Sequence, residues 1–300
     1  MMIPSKKLRA GEVTREQSVA PRIPPKRLGL GYRNHLSPPQ FPAPWAMDWG
    51  EDRYGLWMSF ALDQVCQTLR WIKPGDFLMG AARKEKGQRP WLGKESQHQV
   101  TLSKGFWLAD TTITQELWYT VMGTAPSGFT GEQHPVERIS WQDSRTFLRR
   151  LNNLIPGLAA RLPTEAEWEY ACRAGTNTPF SFGKDISSEQ ANFNGKYPYR
   201  PTSLGEYRKR TVAVKTLSCN TWGLYAMHGN VWEWCQDYWQ EDLGKQDCLN
   251  PQGPKRGKYR LVRGGSWASD ACFIRSACRD RFPPHYCLGS VGVRLAISAT

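Results

Sequence analysis

The chain has 300 residues, 14 tryptophans, a net charge of +13 at pH 7 and a hydrophobic content of 40%, which favours a folded protein over a disordered one. Its 27 glycines and 21 prolines exclude a long helical bundle and predict many loops. The sequence contains no apolar run of about 18 residues, so no membrane span is expected.

Residues 1–45 are rich in proline, lysine and arginine and show little apolar periodicity. We expect them to form an extended basic arm before a domain that spans residues 46–300. A solvated arm and an arm that contacts an acidic partner, either nucleic acid or anionic lipid, both agree with this charge. The chain start lacks the apolar segment of a secretory signal, which predicts a cytoplasmic location and reduced cysteines.

Strand-like segments and helix signals then follow along the domain. The predicted strand regions are 54–62, 67–72, 75–80, 98–110, 259–267 and 291–297. Three helices are predicted to begin at the capping residues Thr114, Ser140 and Thr164. Gly123 and Gly175 are expected to end the first and the third helix.

The stretch 263–296 concentrates Cys272, Cys278, His285 and Cys287 in a short length of chain. Their spacing has no CxxC pair, which disfavours a zinc site. Disulfides require an oxidising compartment, and a cysteine nucleophile requires a base and an orienting group that the spacing does not supply. The arginine and aromatic residues of this stretch favour a binding surface instead.

Five sequence blocks occur in a fixed order: WIKPGDFLMG (71–80), RLPTEAEWEYACRAG (161–175), GLYAMHGNVWEWCQDYW (223–239), LVRGGSW (261–267) and VGVRLA (291–296). Together they resemble the formylglycine-generating enzyme family, also called the sulfatase-modifying-factor domain, over roughly the last five sixths of the chain. The resemblance implies an α+β, C-type-lectin-like fold of the formylglycine-generating-enzyme type, loop-rich with little regular secondary structure.

The catalytic branch of that family holds copper between two cysteines and oxidises a cysteine of a sulfatase. An ungapped alignment puts Ser269 and Ile274 at the two positions, and neither residue is a thiolate ligand. An alignment shifted by inserted residues puts Cys272 and Cys278 there instead. The ungapped alignment predicts a protein that is not an enzyme, and a copper-dependent cysteine oxidase or related oxidoreductase is the alternative.

The pattern RGGSW…RSA…R…P…GxRLA resembles the framework of a non-catalytic branch, the variable proteins of diversity-generating retroelements. In those proteins adenine-directed mutagenesis rewrites a C-terminal segment, and its mutated AAC and AAT codons cannot encode Lys, Glu, Gln, Met or Trp. Residues 268–290 contain none of these five types, although the chain has 14 Trp and 7 Met. We therefore expect a ligand-binding protein whose variable region spans about residues 263–296.

This resemblance divides the region into framework and variable positions. The framework positions are Arg263, Gly264, Gly265, Ser266, Trp267, Arg275, Ala277, Arg279, Gly292 and Arg294. The predicted ligand-binding positions, which we call the variable face, are Ala268, Ser269, Asp270, Cys272, Phe273, Cys278, Asp280, Arg281, Phe282, His285, Tyr286 and Leu288. The expected partner is a protein ligand bound through this face.

The resemblance implies no required cofactor, but it does imply two structural calcium sites. The implied calcium ligands are Glu233, Gly229 and Val231 at one site and Asn192, Phe193 and Glu206 at the other. Calcium prefers several hard oxygen ligands at once. A calcium-free version, in which backbone NH groups or an arginine satisfy Glu233, is the alternative.

Overall fold

The computed structural model describes residues 34–89, 91, 93–201 and 204–299. The predicted arm therefore lies outside the described residues as far as residue 33. Residues 34–45 pack on the domain: Trp71 Nε1 donates a 2.8 Å hydrogen bond to the carbonyl of Leu36, and the ring of Phe41 stacks on Trp107. The predicted boundary at residue 46 is too late, because this proline-rich segment packs partly buried apolar side chains on the core without regular secondary structure.

Within the described residues, the domain combines short strands with three α-helices. The strands are β1 (Asp48–Asp52), β2 (Gly55–Leu62), β3 (Val65–Ile72), β4 (Gly75–Met79), β5 (His98–Leu102), β6 (Phe106–Ala109), β7 (Ala160–Arg161), β8 (Trp232–Tyr238), β9 (Cys248–Leu249), β10 (Arg260–Arg263), β11 (Arg279–Phe282), β12 (Val291–Gly292) and β13 (Ala296–Ser298). The helices are α1 (Gln115–Met122), α2 (Trp141–Leu154) and α3 (Glu165–Arg173). These elements confirm the predicted α+β class.

The strands form three sheets. The first has the order β1-β2-β3-β6-β13-β7, the second β11-β10-β8-β12, and the third β4-β5-β9. The predicted strand region 98–110 thus contains two strands that lie in different sheets. The variable region leaves the second sheet at β10, returns to it at β11 and again at β12, and ends at the first residue of β13 in the first sheet. Regular strands therefore hold this region at several points along its length.

All three helices begin at the predicted capping residues. The hydroxyl oxygens of Thr114, Ser140 and Thr164 each accept a hydrogen bond from the backbone N–H three residues further on, and the last two residues complete capping boxes. Gly123 ends α1 in the left-handed conformation, as predicted. Helix α3 ends one residue earlier than predicted, because the left-handed capping residue is Ala174, directly before Gly175.

The arginines predicted as framework are buried in the domain. Arg263, Arg275, Arg279 and Arg294 all have 0% relative exposure. An unpaired buried guanidinium is strongly unfavourable, so each of these side chains needs an acidic partner and further hydrogen bonds. The structure supplies such a partner in every case.

Helix α3 provides the acids for two of these arginines. Arg279 Nε and Nη2 donate to the two carboxylate oxygens of Glu165 at 2.5 and 2.9 Å. Arg263 donates to Glu169, whose carboxylate also accepts hydrogen bonds from Arg173. These pairs connect α3 to β10 and β11, the two strands that flank the first half of the variable region.

Two more pairs fix the rest of the region. Arg275 donates to Glu95 through both terminal nitrogens, at 2.8 and 2.7 Å, and to Glu85 at 2.7 Å. Arg294, just after β12, donates to both oxygens of Glu233 at 2.9 and 2.7 Å. The buried Arg–Glu pairs therefore form a scaffold beneath the variable region, and we use the term buried ion-pair scaffold for these residues.

Candidate ligand-binding surface

The variable face comprises three segments of chain that contact different neighbours. All of its positions are at least partly exposed except Cys278, which has 0% relative exposure. Ala268, His285 and Tyr286 are exposed. The prediction that this stretch supplies surface side chains thus agrees with the burial of every position but one.

The first segment is a loop and a short 3-10 helix at Ala271–Ile274. The ends of this helix, Ala271 and Ile274, are buried and anchor the segment, while Cys272 and Phe273 between them are half-buried. The backbone of Ser269 accepts a 2.9 Å hydrogen bond from the N–H of Asn194. Anchoring at Ala271 and Ile274 leaves the two side chains between them only partly buried.

A buried histidine, His228, contacts the backbone of this first segment. His228 Nδ1 lies 2.7 Å from the carbonyl oxygen of Ile274, and its Nε2 accepts a hydrogen bond from the N–H of Ser181 at 3.0 Å. Burial lowers the pKa of His228 to about 4. The ring is therefore neutral at pH 7, with Nδ1 assigned as the donor.

The second segment is β11, an edge strand that pairs with β10. Asp280 and Phe282 alternate with Arg281, whose guanidinium lies 4.6 Å from the centroid of the Trp239 ring. Phe282 meets Trp234 edge to face at 6.2 Å. Burial raises the pKa of the Asp280 carboxyl. This strand therefore presents polar and aromatic side chains whose inner ends contact the core.

The third segment follows β11. Tyr286, with 44% relative exposure, stacks on Phe282 at 6.5 Å and contacts the ring of His285 at 5.2 Å. The backbone of this segment is fixed at Pro284, whose carbonyl accepts a 3.0 Å hydrogen bond from the N–H of Trp141. The second and third segments thus form one continuous aromatic patch.

Leu288 and Phe273 complete the variable face and, like Phe282, pack against the large core cluster that contains Cys278. These side chains are therefore partly structural. Residues outside the predicted positions border the face as well: the guanidinium of Arg89 lies 5.7 Å from the ring centroid of Phe273 and 5.4 Å from that of Trp91. No local sequence signal marks this neighbour, because a separate loop brings it close.

Cys278 corrects one expectation, since it was predicted on the binding surface but lies in the core. Burial raises the pKa of its thiol to about 12. Burial also raises the pKa of the Cys272 thiol, although Arg275 partly offsets this effect. Both groups are therefore protonated thiols at neutral pH, and a copper ion would have to displace these protons to bind them as thiolates.

At the first implied calcium site, a guanidinium already occupies the carboxylate that would bind the ion. Both carboxylate oxygens of Glu233 accept hydrogen bonds from Arg294, and one also accepts from Trp168 Nε1 at 2.7 Å. Gly229 and Val231 would contribute only backbone carbonyl oxygens, so Glu233 is the one carboxylate of this implied site. The arginine satisfies Glu233 in the manner of the calcium-free alternative.

At the second implied site, one buried oxygen has no partner. Asn192 Oδ1 lacks a hydrogen-bond donor among the described residues, whereas the backbone carbonyl of Asn192 accepts one from the N–H of Asn230. Phe193 is buried, but the Glu206 carboxylate is 61% exposed and pairs with Arg208 at 3.0 Å. One orphaned amide oxygen without a free carboxylate does not fit calcium.

The part of the chain that the structure describes contains neither a cluster of metal-binding side chains nor a membrane-spanning helix. There, no group of three or more His, Cys, Asp or Glu side chains is placed to hold a metal ion. Likewise, among the helices described, none has the length and apolar character needed to cross a bilayer.

Comparisons with known proteins place this geometry in a family. The profile of the sulfatase-modifying factor enzyme 1-like domain matches residues 59–299. The formylglycine-generating enzyme of Mus musculus is 31% identical over 207 residues, which is 66% of this chain and 53% of that protein. The enzyme of Streptomyces coelicolor is 33% identical over 185 residues, 58% of this chain and 56% of that protein. The chain thus spans about half the length of these curated relatives.

Solved structures give the same fold. Treponema denticola variable protein 1 superposes with a TM-score of 0.69 and 26% identity, covering 81% of this chain and 99% of that one. PvdO from Pseudomonas aeruginosa superposes with a TM-score of 0.66 and 24% identity, covering 80% and 97%. The C-type-lectin-like fold of the formylglycine-generating-enzyme type is confirmed, and the likeness to a variable protein agrees with the non-catalytic resemblance. The chain belongs to the sulfatase-modifying factor enzyme 1-like domain family.

Proposed function

We propose that the protein is a ligand-binding protein whose variable face is diversified by a retroelement while the buried ion-pair scaffold stays fixed. The observation that carries this proposal is the division of residues 263–294 by burial. Its framework arginines are fully buried and paired, whereas all the variable positions except Cys278 reach the surface. A segment can be rewritten without loss of folding only if its variable side chains contribute little to the core.

The composition of the segment supports the same proposal. The stretch 268–290 lacks Lys, Glu, Gln, Met and Trp, the five types that randomised AAC and AAT codons cannot encode. The likeness to Treponema denticola variable protein 1 adds support, since that chain is matched over 99% of its length. Recognition would use arginine and aromatic side chains, which give rigid contact area, together with serine and aspartate for adaptable hydrogen bonds.

The alternative from the same family is a copper-dependent cysteine oxidase. The residues at the two copper positions of the ungapped alignment, Ser269 and Ile274, supply no thiolate. The shifted alignment uses Cys272 and Cys278, whose pKa values are both raised by burial. Copper would have to displace both thiol protons and reach the fully buried Cys278, which favours the binding role over the oxidase role.

The deciding experiment is to sequence the DNA on both sides of the gene. We expect a near-copy of the segment that encodes residues 260–296, with mismatches confined to adenines of the copy, beside a reverse transcriptase gene. The lack of such a repeat would contradict diversification. A titration with copper(I) and a peptide oxidation assay would then test the enzyme directly, with tight binding and turnover as the result that favours it.

A further inference from the structure

A basic groove runs along helix α2, outside the variable face. It has a volume of about 1030 Å³ and is bordered by α2, the end of β8, the loop at 252–255 and the start of β10. Its α2 residues extend from Trp141 to Asn153. At about 1.5 Å per helical residue this is a length of about 18 Å, enough for about five residues of extended chain.

The charges of this groove are uncompensated. Arg145, Arg149, Lys255 and Arg260 line it, and none of them forms an ion pair with any part of the chain that the structure describes. A further lining cation, Arg161, is already paired with Glu167. No aspartate or glutamate lines the groove among the described residues. This contrasts with the buried ion-pair scaffold, where every arginine has an acid.

Arg260 is held in place without an acid. Its guanidinium lies 3.7 Å from the ring centroid of Trp141 and 3.3 Å from that of Tyr238, and its Nη1 donates to the carbonyl of Gln236 at 2.6 Å. Burial lowers the pKa of Arg260, and the charge of Arg145 adds to this effect. A cation that is fixed before binding loses little conformational entropy when an anion arrives.

The lining favours a peptide over a nucleic acid. Proteins that bind single strands offer aromatic ring faces to the bases. Here the rings of Trp141 and Tyr238 are already stacked on Arg260, and Trp141 has only 8% relative exposure. The exposed amide side chains of Asn153 and Gln252 instead offer neutral hydrogen bonds of the kind that a peptide backbone uses.

We propose that this groove binds an extended acidic segment of a partner protein. The site stands without any diversification, since none of its lining residues belongs to the variable stretch. It begins where the variable face ends: Arg260 lies opposite Phe282 in the β10–β11 pair, and Trp141 binds the carbonyl of Pro284. The groove would bind an acidic segment that different ligands share, and the adjacent variable face would contact the parts in which those ligands differ.

The test measures the binding of a short labelled polyglutamate peptide to the full chain at low salt, with fluorescence anisotropy as the readout. A double variant, Arg145→Glu with Arg149→Glu, removes two groove cations. The matched control is Lys104→Glu with Arg150→Glu, which changes the net charge equally at exposed residues outside the groove. Arg150 is the direct neighbour of Arg149 on α2, so the two variants alter the same helix.

The control comparison separates the groove from the overall positive charge and from the basic arm, because both variants lower the net charge by the same amount and keep the arm. We expect the groove variant to weaken polyglutamate binding by about tenfold or more, and the control by less than about threefold. Replacement of the two groove arginines by lysine keeps the charge and should keep most of the affinity. Equal losses in the two glutamate variants would overturn the proposal.

A single-stranded oligonucleotide serves as the competing probe. We expect its binding to depend equally on the groove and control positions, as general charge attraction would make it. A groove-specific loss of oligonucleotide binding, with no such loss for polyglutamate, would also overturn the proposal and assign the groove to nucleic acid.

Discussion

Arg279 and Arg281 lie two residues apart on β11, yet they belong to different regions of the molecule. Arg279 is fully buried and donates to both oxygens of Glu165, whereas Arg281 is half-exposed and rests on the ring of Trp239. The acid partner distinguishes them, because a buried guanidinium requires one and an exposed guanidinium does not. Residues two apart on a strand point to the same side, and both guanidinium groups contact the ring of Trp239, so burial by neighbouring elements, not strand alternation, separates the scaffold from the variable face along β11.

The largest expected effect separates these two arginines. Arg279→Ala leaves Glu165 buried with its main ionic partner lost, and we expect the free energy of unfolding to fall by about 3–5 kcal/mol. Arg281→Ala removes an exposed cation–aromatic contact and should cost about 1 kcal/mol or less. Urea denaturation of the two variants measures both values. Equal losses would contradict the division between scaffold and variable face.

The pH dependence of stability tests Asp237, a buried carboxyl group next to the scaffold residue Glu165. Asp237 accepts a 2.9 Å hydrogen bond from the N–H of Glu165, and burial, together with the nearby Glu165 charge, raises its pKa to about 7. The folded state therefore holds a proton on Asp237 that the unfolded state loses near pH 4. This contribution is fully present below pH 4 and is lost as the pH rises to about 7, by at most about 1.4 kcal/mol per pH unit.

Asp237→Asn should remove that loss, because the amide oxygen keeps the hydrogen bond without a charge. His228 has the opposite sign: its pKa is lowered to about 4, so its contribution falls as the pH drops from about 6.5 to 4. The measurement is therefore the difference in unfolding free energy between the parent and the Asp237 variant at each pH. A difference that does not change between pH 4 and 7 would show that Asp237 is ionised in the folded protein.

Within the variable face, Phe282 and Tyr286 give a finer comparison. Phe282 contacts Trp234 and packs against the core, whereas Tyr286 is 44% exposed and stacks on Phe282. Phe282→Ala should lower stability by about 1–2 kcal/mol, and Tyr286→Ala by about 0.5 kcal/mol or less. Thermal unfolding checks both, and a large loss for Tyr286→Ala would mean that the face is not free to vary at that position.

These contrasts also explain how far the sequence alone could predict the molecule. Helix starts at Thr114, Ser140 and Thr164 were predictable, because a capping side chain and the backbone N–H that it binds lie within four residues of each other. The acids of the scaffold were not, since the Arg275–Glu95 pair joins residues 180 positions apart. The burial of Cys278 was missed for the same reason, because only the packing of distant strands distinguishes it from Cys272.

The smallest expected effect concerns calcium, which the family resemblance implies and the arrangement of Glu233 disfavours. A ligand that binds only the folded state raises the midpoint of thermal unfolding with its concentration. Arg294 already neutralises Glu233 through two hydrogen bonds, so millimolar calcium or a chelator should leave the midpoint unchanged. Glu233→Gln is the matched change, because it leaves Arg294 buried without its charge and should lower the midpoint strongly. A calcium-dependent rise in the midpoint of the parent protein that Glu233→Gln abolishes would contradict this expectation. Calcium would then displace Arg294 as the partner of Glu233.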